Sequence, residues 1–180
     1  MVGMEPGHAM DWNTQLVEQL DWMWVNQFRP RLDGLTDDEY HWEPVPDMWG
    51  VRSTGDRYAL DGGTPEQPTT IAWRMGHLVG VFADRSARHF NGPAFDRPNH
   101  DYGATAGEGV AQLDWAYEIW TAGVRSLGDA GLDRPCGPSE GPFAKYPLST
   151  LVLHINREAL HHGAEIALLR DLYPRRPIRA

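Results

Sequence analysis

Glu158 and His162 stand four residues apart in the segment from Leu148 to Tyr173. On a helix that spacing stacks the two side chains one turn apart on one face, where a carboxylate oxygen and an imidazole nitrogen can reach the same small cation. At about 100° per residue, Leu151, Ile155, Ile166, Leu169 and Tyr173 fall on one apolar stripe, and Glu158 and His162 lie in the middle of it. A carboxylate and an imidazole aimed into a core are costly unless something pairs with them. A bound metal would do so, and so would an ion pair between Glu158 and Arg74 or Arg88.

Two residues from one helix hold a divalent ion poorly, so a third ligand has to come from another helix. His77, in the segment from Thr69 to Gly80, is the best candidate; it sits beside the centre of that helix's apolar arc, a position where histidines also serve as ordinary core-edge residues. His154, Glu158 and His162 form a ladder at i, i+4 and i+8, but its ends are about 12 Å apart along the axis. That is too far for two bonds of about 2.1 Å to one ion. His161 is about 100° round from His162, toward the rim of the stripe. Both extra histidines are better read as neighbours of the ligands, substrate contacts or solvent-facing groups.

The elements that must position these residues are helices. The first runs from about Asp11, a good N-cap, through Leu16, Leu20, Met23, Trp24 and Phe28, with Pro30 to kink or end it. A short helix over Leu35 to Trp42 is capped by Thr36, with Glu39 completing a capping box. The stretch from Glu43 to Pro68 is irregular and long enough to suggest a functional loop, pinned by Trp49 and Tyr58. The second main helix starts at Thr69 or Thr70 and ends near Phe90, before Asn91, Gly92 and Pro93. The third runs from near Thr105 to just before Gly131, and the fourth from about Leu148 to Tyr173, closed by Pro174. Strand-period alternation and internal repeats are absent. The spacing therefore predicts an all-α four-helix bundle, with a long loop and short helix between the first and second helices.

At 180 residues the chain is most economically one domain, 1–180, with a core that needs no disulfide or structural zinc cluster. A formal charge of −9 argues against nucleic acid, because phosphate binding depends on clustered Lys and Arg. The start lacks a signal-like apolar region and no segment approaches about 18 consecutive apolar residues, so membranes are set aside and the cytoplasm is expected. The lone Cys136 excludes an internal disulfide; it reads as a structural thiol, since no basic neighbour or helix start is evident to lower its pKa. A homodimer is compatible with all of this.

Three stretches together resemble the DinB and YfiT-like superfamily: Thr69 to His77, Trp42 to Val51, and Asn156 to Tyr173. The resemblance covers about Asp11 to Tyr173, and the superfamily includes the metal-binding domain of mycothiol-dependent maleylpyruvate isomerase. Many members supply three histidines, the last two as His-x-x-x-His; here Glu158 stands where the first of those two would fall. The isomerase branch is similar in using His, Glu and His, so the resemblance implies His77, Glu158 and His162 as the metal ligands. It also implies a four-helix bundle, a divalent metal, zinc or nickel, and a low-molecular-weight thiol as co-substrate. With the chain ending at Ala180, the isomerase's additional C-terminal domain is not expected, nor is isomerisation of maleylpyruvate.

Two neutral imidazoles and one carboxylate leave a divalent ion at about +1 with one to three open positions. A thiol entering such a position loses its proton and becomes a nucleophile at neutral pH. Taken with what the resemblance implies, this chemistry leads to the expectation of a metal-dependent thiol S-transferase of the mycothiol or bacillithiol type, with a small-molecule thiol and an electrophile as its partners. Trp49, Trp73 and the loop from Glu43 to Pro68 are the expected pocket walls. The rival is a non-enzymatic metal-binding stress or interaction protein whose ion compensates Glu158; a member with an empty site is a third reading.

Overall fold

Helix α1 (Trp12–Met23) begins at Asp11, whose carboxylate accepts the Thr14 N–H at 2.9 Å and so occupies one of the free donors of the first turn. Its apolar spacing carries on past Met23 through a π turn over Trp24–Phe28 and a 3-10 turn over Arg29–Leu32. Pro30 lies in that last turn, where its missing N–H ends regular helix. The computed structural model describes residues 10–177.

Helix α2 (Asp37–Tyr40) is one turn capped by Thr36, which accepts the Glu39 N–H at 3.3 Å. The reciprocal half of the predicted capping box is missing. Glu39 is buried, and its carboxylate turns instead to the guanidinium of Arg170 at 2.9 Å, a stronger partner than a backbone N–H. A full box forms elsewhere, between Thr105 and Glu108 at the head of α4 (Ala106–Arg125). The long connection before α3 (Ile71–His89) holds a small antiparallel hairpin, β1 (Val51–Ser53) with β2 (Tyr58–Leu60), in which Val51 faces Leu60. The sequence predicts no strand there. Three residues are too few for a period of two to register.

Gly128 adopts a φ of +57°, a left-handed conformation open to glycine, and there the expected third helix breaks into α4 and the short α5 (Gly128–Leu132). Helix α6 (Leu148–Leu172) has the predicted extent. The four long helices form a bundle in which α3 packs chiefly on α4 and α6, and α1 on the same two. Phe82, Leu78, Leu113, Trp120, Ile155 and Ile166 are fully buried between them. Trp24, from the π turn, stacks on Tyr117 of α4 with ring centroids 3.9 Å apart. The architecture is all-α, and its ring order makes neighbours of α3 and α6 although they are far apart in the chain.

The long connection is tied down at both ends. Trp49 bridges to the start of α3 through its N–H to the Pro68 carbonyl and its own carbonyl to the Thr70 N–H, each at 2.9 Å. Tyr58 is held by its backbone rather than its ring: its N–H donates to Asp101 at 2.7 Å and its carbonyl accepts from Tyr102 at 2.9 Å. The hairpin is thereby laid along α3, with the Leu60 side chain over Gly76.

Candidate metal centre

Thr70 accepts the Trp73 N–H and fixes where α3 starts, which places His77 on its second turn facing α6. Along α6 the buried arc centres on Ile155, Ala159 and Ile166, with Asn156 and Gly163 also buried on its far side. Glu158 and His162 therefore sit at the edge of the stripe and not in its middle; their side chains are 23% and 13% exposed. The apolar residues alone had placed the arc's centre too far to one side, because the small and polar members Asn156, Ala159 and Gly163 extend it the other way. An edge position is what a site open to solvent needs.

His77, Glu158 and His162 converge, with one donor atom from each lying within 4.8 Å of the others. Glu158 Oε2 is 3.4 Å from His77 Nε2 and 3.7 Å from His162 Nε2. Two atoms bound at about 2.1 Å to one tetrahedral ion are about 3.4 Å apart, so this group can hold a divalent metal with small side-chain adjustments. The ion-pair alternative for Glu158 is not realised. Arg74 Nε donates to Glu165 at 2.8 Å, and Arg88 Nε to Asp84 at 2.8 Å.

Glu165 is the residue the sequence reading missed. Its Oε2 is 2.9 Å from His162 Nδ1, and since an ionised carboxylate only accepts, Nδ1 carries the proton and the Nε2 lone pair is turned toward Glu158. Burial pushes the Glu165 carboxyl up, but hydrogen bonds from Arg74 and His162 outweigh it and hold the net pKa below the ordinary value. A carboxylate behind an imidazole is the usual partner of a metal-binding histidine. The available signal was the spacing His162 to Glu165, three residues on one helix face.

Burial pushes His77 down to about 4, helped by the charges of His162 and Arg97 and opposed by Glu158. Burial also lowers His162. Both imidazoles are thus neutral, and so able to ligate, near pH 7. Trp73 lies flat on the His77 ring, 5.1 Å between centroids and 10° between planes, and its Nε1–H is anchored on the Asp61 carbonyl at 2.9 Å. Trp49 stands 6.1 Å behind it. These are the two tryptophans expected as walls. His154 Nδ1 faces Arg157 at 2.7 Å and Glu158 Oε1 at 3.6 Å, and His161 is exposed. His161, His162 and Glu165 form a second cluster, but Glu165 is already taken up by Arg74 and by the His162 Nδ1 proton.

Cys136 is buried, and burial first, then the nearby Glu140 charge, raises its thiol pKa. No helix among the described residues is long and apolar enough to cross a membrane.

The molecule is thus a helical bundle that carries a His, Glu, His group between its second and last long helices. The sequence profile of the DinB superfamily matches residues 19–166, and the chain belongs to that superfamily. No curated protein and no solved structure matches it.

Proposed function

We propose that the protein is a divalent-metal-dependent thiol S-transferase, of the mycothiol or bacillithiol type, acting on a small electrophile. His77, Glu158 and His162 are its metal ligands, and zinc or nickel the ion. The observation that carries this reading is the convergence of three donors from α3 and α6 at a partly exposed rim of the bundle. Among the described residues the group stops at three donors, which leaves coordination positions for a substrate, as catalytic sites do and closed structural sites do not.

An ion held there would act as a Lewis acid that lowers the pKa of an entering thiol. The chain's own part is to hold and orient. Glu165 and Arg74 fix the His162 tautomer, Glu158 supplies the single negative charge, and Trp73 shields one side of His77. Cys136, buried and with a raised pKa, is unsuited to be the nucleophile, so the reacting sulfur belongs to the substrate.

Metal-loaded protein should consume a low-molecular-weight thiol in the presence of a haloalkyl or bimane electrophile, lose that activity to a chelator, and regain it with added metal. Cys136→Ser should leave it largely intact. Absence of turnover with every physiological thiol, while the site is demonstrably full, would overturn the transferase reading in favour of a non-enzymatic metal-binding protein.

A further inference from the structure

Helices α1 and α6 turn an apolar face outward that the bundle itself does not use. The two run side by side in the same direction: Asn156 donates to the Leu16 carbonyl at 2.9 Å and to the Gln19 carboxamide oxygen at 3.1 Å, and further along Gly163 backs onto the Phe28 ring. At about 100° per residue, Leu153 and Leu160 fall about 40–60° round α6 from Asn156, on the side away from the core, while Trp12 and Trp22 fall on either side of Gln19 on α1. All four are open to solvent, the tryptophans at 59% exposure each and the leucines at 52% and 38%. They form one face across the seam between the helices.

Its size is that of an interface. Two indoles at 59% exposure offer roughly 300 Å², already the extent of the largest apolar patch on many monomers. With Gln15, Gln19, Asn26, Arg157 and Ala164, all exposed between or beside them, the face comes to roughly the 800 Å² that each partner gives to a stable complex. Charge says which partner. The chain carries −9, so two copies repel, and a partner recognised by charge would seek the acidic surface. From Trp12 to Asn26 and from Leu153 to Ala164 the face holds one charged side chain, Arg157, with Glu18 at its rim about 40° beyond Trp22. Here a copy of the same acidic chain can approach without meeting like charge.

We propose that this face is an isologous interface on which a second copy of the chain packs its own α1 and α6 to make a two-fold dimer. The tryptophans are its anchors, and the amides between them supply hydrogen bonds at its centre. Glu158 and His162 lie about 160–200° round α6 from Leu160, so the dimer leaves both metal centres open. The inference does not depend on the transferase reading.

Sedimentation equilibrium of the full chain tests it. The wild type should be a dimer at about 50 μM, within the range that interfaces of this size reach. Trp22→Glu and Leu160→Glu each place a carboxylate on both sides of the two-fold, and each should raise the dimer dissociation constant by about 30-fold or more. Val45→Glu adds the same charge at another exposed apolar residue, on the loop after Trp42, and should leave the constant unchanged. Far-UV circular dichroism should be the same for all four proteins, because every substituted side chain is exposed. A monomeric wild type overturns the inference, as does a dimer that survives both face substitutions or that Val45→Glu weakens equally. Loss of zinc binding on dissociation would place the metal centre at the interface and overturn the proposed face as well.

Discussion

Glu158 would be the one charged ligand of the proposed site, so its removal would change both the number of bonds and the net charge there. Glu158→Ala should weaken zinc or nickel binding by well over 100-fold, whereas Glu165→Ala, which only frees the His162 ring, should cost about 10- to 100-fold. His154→Ala and His161→Ala should do far less, since their rings face Arg157 and solvent. Metal titration orders the four variants; comparable losses for Glu158→Ala and His161→Ala would mean the ligand is misassigned. His77 gives a pH signature independent of metal. Its pKa is about 4 in the fold against an ordinary 6.5, so between those values the folded state binds fewer protons than the unfolded chain and acid favours unfolding. The difference in unfolding free energy between the metal-free wild type and His77→Gln should therefore shrink as pH drops from about 7 to about 4.5. A constant difference across that window would show that His77 is not held neutral. Glu158 and His162 were legible as a pair because i, i+4 spacing is a helical address, whereas His77, 81 residues from Glu158, could be named only as a candidate and through the family resemblance. The approach of Arg97 to His77 Nδ1, at 3.2 Å, was not legible: Arg97 comes from a 3-10 turn over Arg97–Asn99, and no periodicity records where a side chain on so short a turn ends up.

The elements were read through their punctuation, and where punctuation was strong the boundaries held. Asp11, Thr70 and Thr105 each cap a helix as their side chains predict. The failures have identifiable causes. Thr36 caps, but Glu39 is drawn off by Arg170 from the far end of the chain, a tertiary partner that no three-residue motif can announce. The break at Gly128 and the three-residue strands fall below the length at which a period can be counted. Glycines in and before α4 give opposite predictions. A Cβ on Gly103 would stand 2.4 Å from the Gly109 backbone nitrogen, so Gly103→Ala forces the loop off the helix and should destabilise by about 1–3 kcal/mol. Gly107, in the first turn of α4 with nothing within 4 Å of its added Cβ, should become more stable as Ala by about 0.4–1 kcal/mol. Urea unfolding midpoints measure both. Equal effects would mean that the approach of the 103 loop to α4 is not a close one in solution.

For the whole molecule, the proposed ligands link two helices that the chain joins only through α4 and two long connections. His77 on α3 and Glu158 on α6 are 81 residues apart, and an ion between them would bind the packed bundle but not the unfolded chain, in which three ligands so spaced do not meet. Binding free energy then becomes folding free energy. At a free metal concentration about 1,000 times the dissociation constant the fold should gain about 4 kcal/mol, and at 100 times about 2.7 kcal/mol. The apparent melting temperature should accordingly rise with metal concentration, fall back with a chelator, and lose its metal dependence in His77→Ala even though α6 still carries Glu158 and His162. This last variant separates a site assembled by the fold from one local to a helix. If His77→Ala keeps the full metal-induced shift, α6 alone binds the ion, through Glu158 and His162 or through the neighbouring His161 and Glu165, and α3 plays no part in holding it.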